Sequence, residues 1–572
     1  MKRIYWLTFF GLSILAMCNM MTLAVQHETA DLILQGGKIV TMDEQKPAAD
    51  ALAVRNGLIL AVGTEKEMAP FIGNATRVID LKGELVIPGF IESHGHFAAM
   101  GRAKMQLDLT KVKNWDEVIA MVADAVKKTK PGEWILGRGW HQEKWNKVPN
   151  PNVEGLPIHD TLSAISPENP VLLPHASGHS LFANQKAMAL AGVNETTPNP
   201  EGGEIVKDNT GKPIGIFKEN AEYLIYNVMQ EQQAKRTELE KKTEILKVLE
   251  LADKTCLENG ITTFEDAGVS FAAVDIYKEL VQQGKLGVRL NVMLNEPNSA
   301  LLQHIAEYRL IGLGDNHLTV RAIKRLIDGA LGSHGAWLLE PYTSLPSSSG
   351  LNTESIASMK ETAQIAVAHG FQFCTHAIGD RGNRETLDVY EDAFKNNPTK
   401  KDLRWRIEHA QHLNPQDVPR FSQLGVIAAM QGIHCTSDGP WVAKRLGETR
   451  AAETSYLWRK LIDSGATICN GTDVPVEDVN PIACFYASAT RKMNDGNIFH
   501  GEQKMTRLEA LRSYTINGAF ASFQEGEKGS LIPGKLADIT VLSQDMLTVP
   551  EENILKTTVL YTIVGGKVLY QK

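Results

Sequence analysis

The strongest constraint on this chain is a long alternation of apolar, β-branched runs with amphipathic stretches. It begins at Phe90-Ile91-Glu92-Ser93-His94-Gly95-His96 and continues through seven further strand-like runs. These are 261–265, 288–294, 318–324, 371–376, 404–409, 426–430 and 466–473. Strands separated by helices form parallel sheets, and eight such units match a (β/α)8 barrel of the TIM type. One interval, residues 100–250, is too long for a single crossover helix. It holds Trp134–Trp140, Pro170–His175 and a charged helical stretch around Glu231–Lys254, so it is expected to be an inserted subdomain rather than a structureless loop.

Both ends of the chain carry short strands instead. Residues 31–88 contain apolar runs with an Asn56-Gly57 hairpin signal, and residues 525–572 repeat that style. Neither end has enough strand to close a sheet, which predicts one small β-sandwich built from both. The expected architecture is therefore α/β: a distorted TIM barrel over 89–524 with an insert at about 100–250, plus the two-part β-domain.

Met1–Ala24 has the form of a secretory signal: Lys2-Arg3, an apolar run from Ile4 to Met17, and small residues at Thr22 and Ala24. The run is shorter than the roughly 20 residues a spanning helix needs, so no stable membrane insertion is expected after cleavage. Met17 is too large for the residue preceding a lipoprotein cysteine, which disfavours anchoring at Cys18. Export to the periplasm or outside the cell is the expectation. The five cysteines beyond residue 24 lack CxxC spacing and are odd in number, so free buried thiols are expected. A net charge of −8 argues against nucleic acid as a partner. A small-molecule substrate fits better, and a homodimer is compatible with the sequence.

In a barrel of this type, functional side chains collect at the C-terminal strand ends. Those ends carry His94 and His96, then Lys324, His376, His409 and Asp473. His94 and His96 share one face of a strand, and Gly95 between them would leave room for an ion. Each residue alone is weak evidence; together they predict a metal site.

The order resembles the amidohydrolase superfamily of metal-dependent hydrolases, and the wider sequence resembles its branch of N-substituted formamide deformylases and exoenzyme-regulatory proteins. The resemblance rests on Pro88–His96, Asn184–Val193, Lys324–Gly332, Thr375–Arg381, Arg406–Gln411 and Gly471–Val476, and it spans nearly the whole mature chain. It implies that Lys324 is carboxylated and bridges two divalent ions. If Lys324 were instead an ordinary lysine paired with Asp328, the site could be mononuclear. Zinc is the default metal, with Mn, Fe or Ni as alternatives.

The implied reaction is hydrolysis of a C–N bond in an amide, formamide or cyclic amide. Asp473 would take the proton of the attacking water, and His409 or His376 would stabilise the oxyanion. Glu408, adjacent to His409, and Asp380, four residues after His376, are candidate orienters of the ligands, with a salt bridge as the alternative for each. Trp140, Trp337 and Trp441, with His141, Trp145 and His175, could wall a pocket or simply pack. His179, a further pocket-wall candidate, and Glu219 are candidate substrate-binding residues with Trp140, Trp337 and Trp441; both match positions in the branch's insert, without an assigned role. No fixed clamp for an anionic substrate is evident: Arg381, Arg445 and Arg459 are available, but structural ion pairs could consume all three. The same nucleophile could also cleave esters or lactones, and a non-catalytic regulatory protein could share the fold.

Overall fold

The computed structural model describes residues 28–572, except 143–144, 176–179, 201–202 and 333; Glu219 is described by its backbone alone. The signal-like segment 1–24 lies outside the described residues.

Eight parallel strands form the central sheet. Numbered around the barrel they are β1 (Phe90–Gly95), β2 (Ile261–Val269), β3 (Arg289–Leu294), β4 (Leu318–Leu326), β5 (Gln372–Ala377), β6 (Arg406–His409), β7 (Ile427–Gln431) and β8 (Ile468–Gly471). They follow one another in strict sequence order, with the short strand Leu310–Gly312 added antiparallel on β4. The strands are almost wholly buried, as expected for a parallel sheet covered by helices.

The β8–β1 seam closes just beyond the ladder. Asp473 donates its backbone N–H to His94 O and His96 donates to Val474 O, both at 2.8 Å. The buried Glu92 carboxyl accepts from the Thr472 backbone N–H across the same seam. Two of the expected site segments, 94–96 and 472–474, are thus stitched together by the step that closes the barrel.

Strands from both chain ends share one eight-stranded sheet, in which Leu85–Pro88 lies between Leu32–Val40 and Ile539–Leu542. A single apolar cluster runs through it, from Leu34, Leu52 and Val86 to Ile539, Val541 and Ile563. Asn56-Gly57 makes the two-residue hairpin between Ala48–Arg55 and Leu58–Gly63, and both turn residues have positive φ (51° and 79°).

The long interval after β1 contains its own six-stranded sheet, running from Leu107–Asp108 through Ile135–Arg138, Val171–Pro174, Ser180–Ala183 and Pro213–Glu219 to the edge strand Gly203–Lys207. The following helix, Glu238–Glu258, packs on the helix Phe97–Lys104 and against β2, so it belongs to the barrel's outer ring. The contact is close: a Cβ at Gly101 would lie 2.0 Å from Val248 O.

Candidate metal centre

The site is built at the C-terminal mouth of the barrel. His94 is buried, and its Nδ1 lies 2.5 Å from Glu408 Oε2. Donation of Nδ1–H to that carboxylate turns the unprotonated Nε2 toward the mouth. There it lies 3.4 Å from Lys324 Nζ and 3.6 Å from Asp473 Oδ1. His96 is half-exposed, with Nε2 at 3.1 Å from the same Asp473 oxygen. Gly95 has a different reason from the one expected. A Cβ there would come within 2.6 Å of the Phe264 ring and 3.0 Å of Val474, so its space is filled by protein rather than left for an ion.

Lys324, near the end of β4, is buried, and burial lowers its ammonium pKa. At the end of β5, burial and the His409 and Lys324 charges push the His376 imidazole well below its ordinary value. Its Nε2 has no hydrogen-bond partner among the described residues and lies 3.5 Å from Asp328 Oδ1.

His409 ends β6 in the left-handed region (φ 75°), followed by Ala410 (φ 42°), and Asp473 has φ 58°. Left-handed backbone is uncommon for residues other than glycine, less so for His and Asp than for Ala, and survives where surrounding structure imposes it. The His409 Nδ1 meets Gln431 Oε1 at 2.7 Å, which frees Nε2 for the centre. Burial opposes ionisation of Asp473. The contact with His96 and the facing His94, His409 and His434 outweigh it, holding the carboxyl well below its usual range.

Beneath the centre runs a buried ionic chain. Glu408 accepts from Arg406 Nε (2.8 Å) and Nη2 (3.0 Å), while Arg406 also pairs with Glu265 and donates to Ser93 O (2.7 Å). Burial works against the Glu408 anion, but Arg406 and His94 dominate and depress its pKa strongly. Burial raises Glu265 to about 7 against the pull of Arg406.

All six strand-end residues expected from the sequence therefore face one volume. Of the two expected orienters, Glu408 holds a site histidine and Asp380 does not. Glu408 serves His94, across the barrel, rather than its neighbour His409. Asp380 bonds Leu339 N–H (2.9 Å) and Arg381 N–H (3.0 Å) and leaves His376 alone. Asp328 stands beside His376 instead, and it accepts from the backbone N–H groups of Trp337, Ile378 and Gly379.

One residue was missed. His434, in the first turn of the helix Gly432–Leu446 after β7, forms a buried group with His409 and Asp473 whose ligand atoms all lie within 4.8 Å of one another. A matching group joins His94, His96 and Asp473. The only available signal was its place three residues beyond the last strand residue, Gln431.

The proposed tryptophans lie in the insert (Trp140), after β4 (Trp337) and in the helix Gly432–Leu446 after β7 (Trp441). Trp140 is fully buried in the insert's core, edge-on to His175 and Phe182, and donates Nε1–H to Leu173 O at 2.7 Å. It is a packing residue with no face for substrate. His141 and His175 lie against each other in the same region, with ring centroids 4.5 Å apart. Trp337 is half-buried under the Arg381 guanidinium, 4.5 Å from its ring centroid, and Trp441 is half-buried against Gly332. His179 lies outside the described residues, and Glu219 ends the strand Pro213–Glu219. Arg445 donates to Gly332 O and Arg459 pairs with Glu509 and Asp463, which engages both in the fold.

The donor set tests well against a divalent cation. Buried imidazoles with unprotonated nitrogens and an anionic carboxylate suit such an ion, and two buried nitrogens, His376 Nε2 and His434 Nε2, have no hydrogen-bond partner among the described residues. A parallel barrel with imidazole and carboxylate ligands at its C-terminal mouth is the architecture of a metal-dependent hydrolase. The chain belongs to the amidohydrolase family, whose model matches residues 77–570. It is 34% identical to Protein LONG AFTER FAR-RED 3 of Arabidopsis thaliana over 95% of this chain and 92% of that one. It is 27% identical to the N-substituted formamide deformylase of Arthrobacter pascens over 95% of this chain and 98% of the enzyme. A metal-dependent hydrolase from Pyrococcus furiosus superposes with a TM-score of 0.72 at 25% identity, covering 90% of this chain and 100% of that chain.

Proposed function

We propose that this protein is an exported amidohydrolase that cleaves a non-peptide C–N bond, in an amide, formamide or cyclic amide, with water as nucleophile. The observation that supports the reading is the gathering of His94, His96, His376, His409, Lys324 and Asp473 at the barrel mouth, with His376 Nε2 lacking a hydrogen-bond partner among the described residues. The similarity to a formamide deformylase along nearly the full length of both chains supports the choice of bond. Export rests on the form of residues 1–24; among the described residues no helix is long and apolar enough to cross a membrane.

His94, His96, His376, His409 and Asp473 would hold the metal, with zinc the best match to imidazole and carboxylate donors. A divalent ion supplies Lewis-acid activation of water near neutral pH. Lys324, with Nζ 3.4 Å from His94 Nε2, would join the ligand set as a carbamate. Its neutral amine would add to carbon dioxide, forming one N–C bond and releasing one proton. Asp473, anionic and held by backbone at the β8–β1 seam, would accept the water proton and return it to the departing nitrogen. Glu408 keeps His94 in the required tautomer, and Gln431 does the same for His409.

The test is a panel of N-formyl amines, acyl amides, cyclic amides, esters and lactones, offered to protein purified with zinc and bicarbonate. Hydrolysis of an amide-class compound, lost in Asp473→Asn with metal retained, is the expected result. Turnover confined to esters or lactones would refute the bond assignment, and full activity in Asp473→Asn would remove that residue from the mechanism.

A further inference from the structure

We propose that Arg381, resting on the Trp337 ring, anchors a carboxylate of the substrate, so that the amides this protein cleaves are anionic ones. The inference rests on the amidohydrolase reading and adds to it a substrate class and the residue that selects it.

On sequence alone three arginines are open to an anion, and the fold spends two of them, Arg445 and Arg459. Arg381 is the third. Its side chain is 45% exposed, and its guanidinium makes no hydrogen bond to a described residue. The carboxylate within reach is Glu385, one turn along the same helix, and it stays 3.6 Å away. An exposed pair of that kind holds its partners weakly, so an incoming carboxylate can replace it. Every other arginine from Arg325 to Arg459 donates at least one side-chain hydrogen bond within the fold.

Trp337 gives the free guanidinium a fixed seat, with its ring centroid 4.5 Å from Arg381 Cζ. A guanidinium resting on a ring keeps its planar fork of N–H donors for a ligand, and that fork matches the two oxygens of a carboxylate. The backbone beneath is locked. Trp337 O accepts from the Arg381 and Gly382 N–H groups, both at 3.1 Å, which occupies the first donors of the helix Asp380–Asn396. A Cβ at Gly379 would fall 2.1 Å from that same oxygen, so a glycine there lets the two segments meet.

One carboxylate ties this seat to the candidate metal centre. Asp328 Oδ2 accepts from the N–H groups of Trp337 (2.9 Å) and Gly379 (2.7 Å), while its Oδ1 stands 3.5 Å from His376 Nε2. Trp337 follows β4 and Arg381 opens the helix after β5, which puts the pair on the same face of the barrel as Lys324 and His376. A substrate held there by its carboxylate brings its amide to the mouth from a fixed direction.

The experiment is steady-state kinetics of the full chain, supplied with zinc and bicarbonate, on matched pairs of amides. Each pair sets an N-formyl or N-acetyl ω-amino acid, its carboxylate at one of several spacings from the nitrogen, against the N-formyl or N-acetyl alkylamine of equal length. At the best spacing, wild type should favour the charged member by about 10-fold or more in kcat/KM, chiefly through KM, and added salt should shrink the preference. Arg381→Gln and Arg381→Met should abolish that preference, and Arg381→Lys should keep part of it. A wild type indifferent to the carboxylate would overturn the proposal, as would variants that lose charged and neutral substrates in equal proportion. If either Arg381→Gln or Arg381→Met fails to fold by circular dichroism, the other decides; failure of both would make Arg381 a structural residue and overturn the proposal too. Hydrolysis of neither member of any pair would overturn the amidohydrolase reading as well, whereas turnover without charge preference would overturn this inference alone.

Discussion

Replacing Glu408 with glutamine probes how the centre is oriented. Glu408 accepts three hydrogen bonds, one from His94 Nδ1 and two from Arg406, and is fully buried. Glutamine keeps one acceptor oxygen and places an NH2 group against either His94 or Arg406, both of which are donors. If it faces His94, that ring must present an unprotonated Nδ1, which moves the proton to Nε2 and blocks metal binding. Loss of such an orienting carboxylate typically weakens metal affinity by about 10–100-fold, or about 1.4–2.7 kcal/mol. Breaking a buried ion pair costs about 3–5 kcal/mol. The lower end, about 3 kcal/mol, applies here because Arg406 retains Glu265 and Ser93 O. Chelator competition gives the affinity and urea unfolding gives the stability. Glu265→Gln is the control, since it touches Arg406 but no histidine: it should lose stability while keeping metal affinity within about twofold. Unchanged affinity in Glu408→Gln, or an equal loss in Glu265→Gln, would refute the idea that Glu408 acts through His94.

Asp473→Asn should bind metal and lose about 100- to 10,000-fold in turnover, the range for a general base, measured by steady-state kinetics beside metal analysis. Lys528 is buried with its Nζ 2.9 Å from Thr263 Oγ1, and burial and Arg289 push its pKa down to about 8 from 10.5. The unfolded chain holds that proton to higher pH than the folded one, so stability should rise between pH 8 and 10.5, by at most about 3 kcal/mol. Lys528→Met should flatten that rise in denaturant titrations. Trp140→Ala should destabilise by about 3–5 kcal/mol as a core truncation, read by unfolding. It should leave the ranking of substrates unchanged, because Trp140 is wholly buried in the insert's apolar core.

The barrel was legible because its strands are short, buried runs bounded by glycine, proline or polar residues, and because a parallel barrel sends its strand-end side chains to one mouth. His94, His96, His376, His409, Lys324 and Asp473 obey that rule. His434 does not: it lies in a helical turn past its strand, and helix periodicity alone cannot say that its open face meets Asp473. Adjacency misled for Glu408, since the strand turns successive side chains to different neighbours and His94 reaches it from across the barrel. Trp140 sits in a tryptophan-rich stretch that suits a pocket wall and a core equally, and only burial distinguishes them. The helix Glu238–Glu258 looks like part of the insert in sequence because the interval before β2 is long. Its packing on Phe97–Lys104, at the close approach of Gly101 to Val248, assigns it to the barrel.

The central claim is that a divalent cation held by these strand-end residues performs hydrolysis. It is tested most directly by measuring bound metal and amide hydrolysis on one sample, before chelation, after chelation and after zinc is restored. The account predicts at least one equivalent of metal at the start, loss of metal and turnover together, and recovery of both. Hydrolysis that survives complete removal of metal, or a folded protein that takes up none, would contradict it.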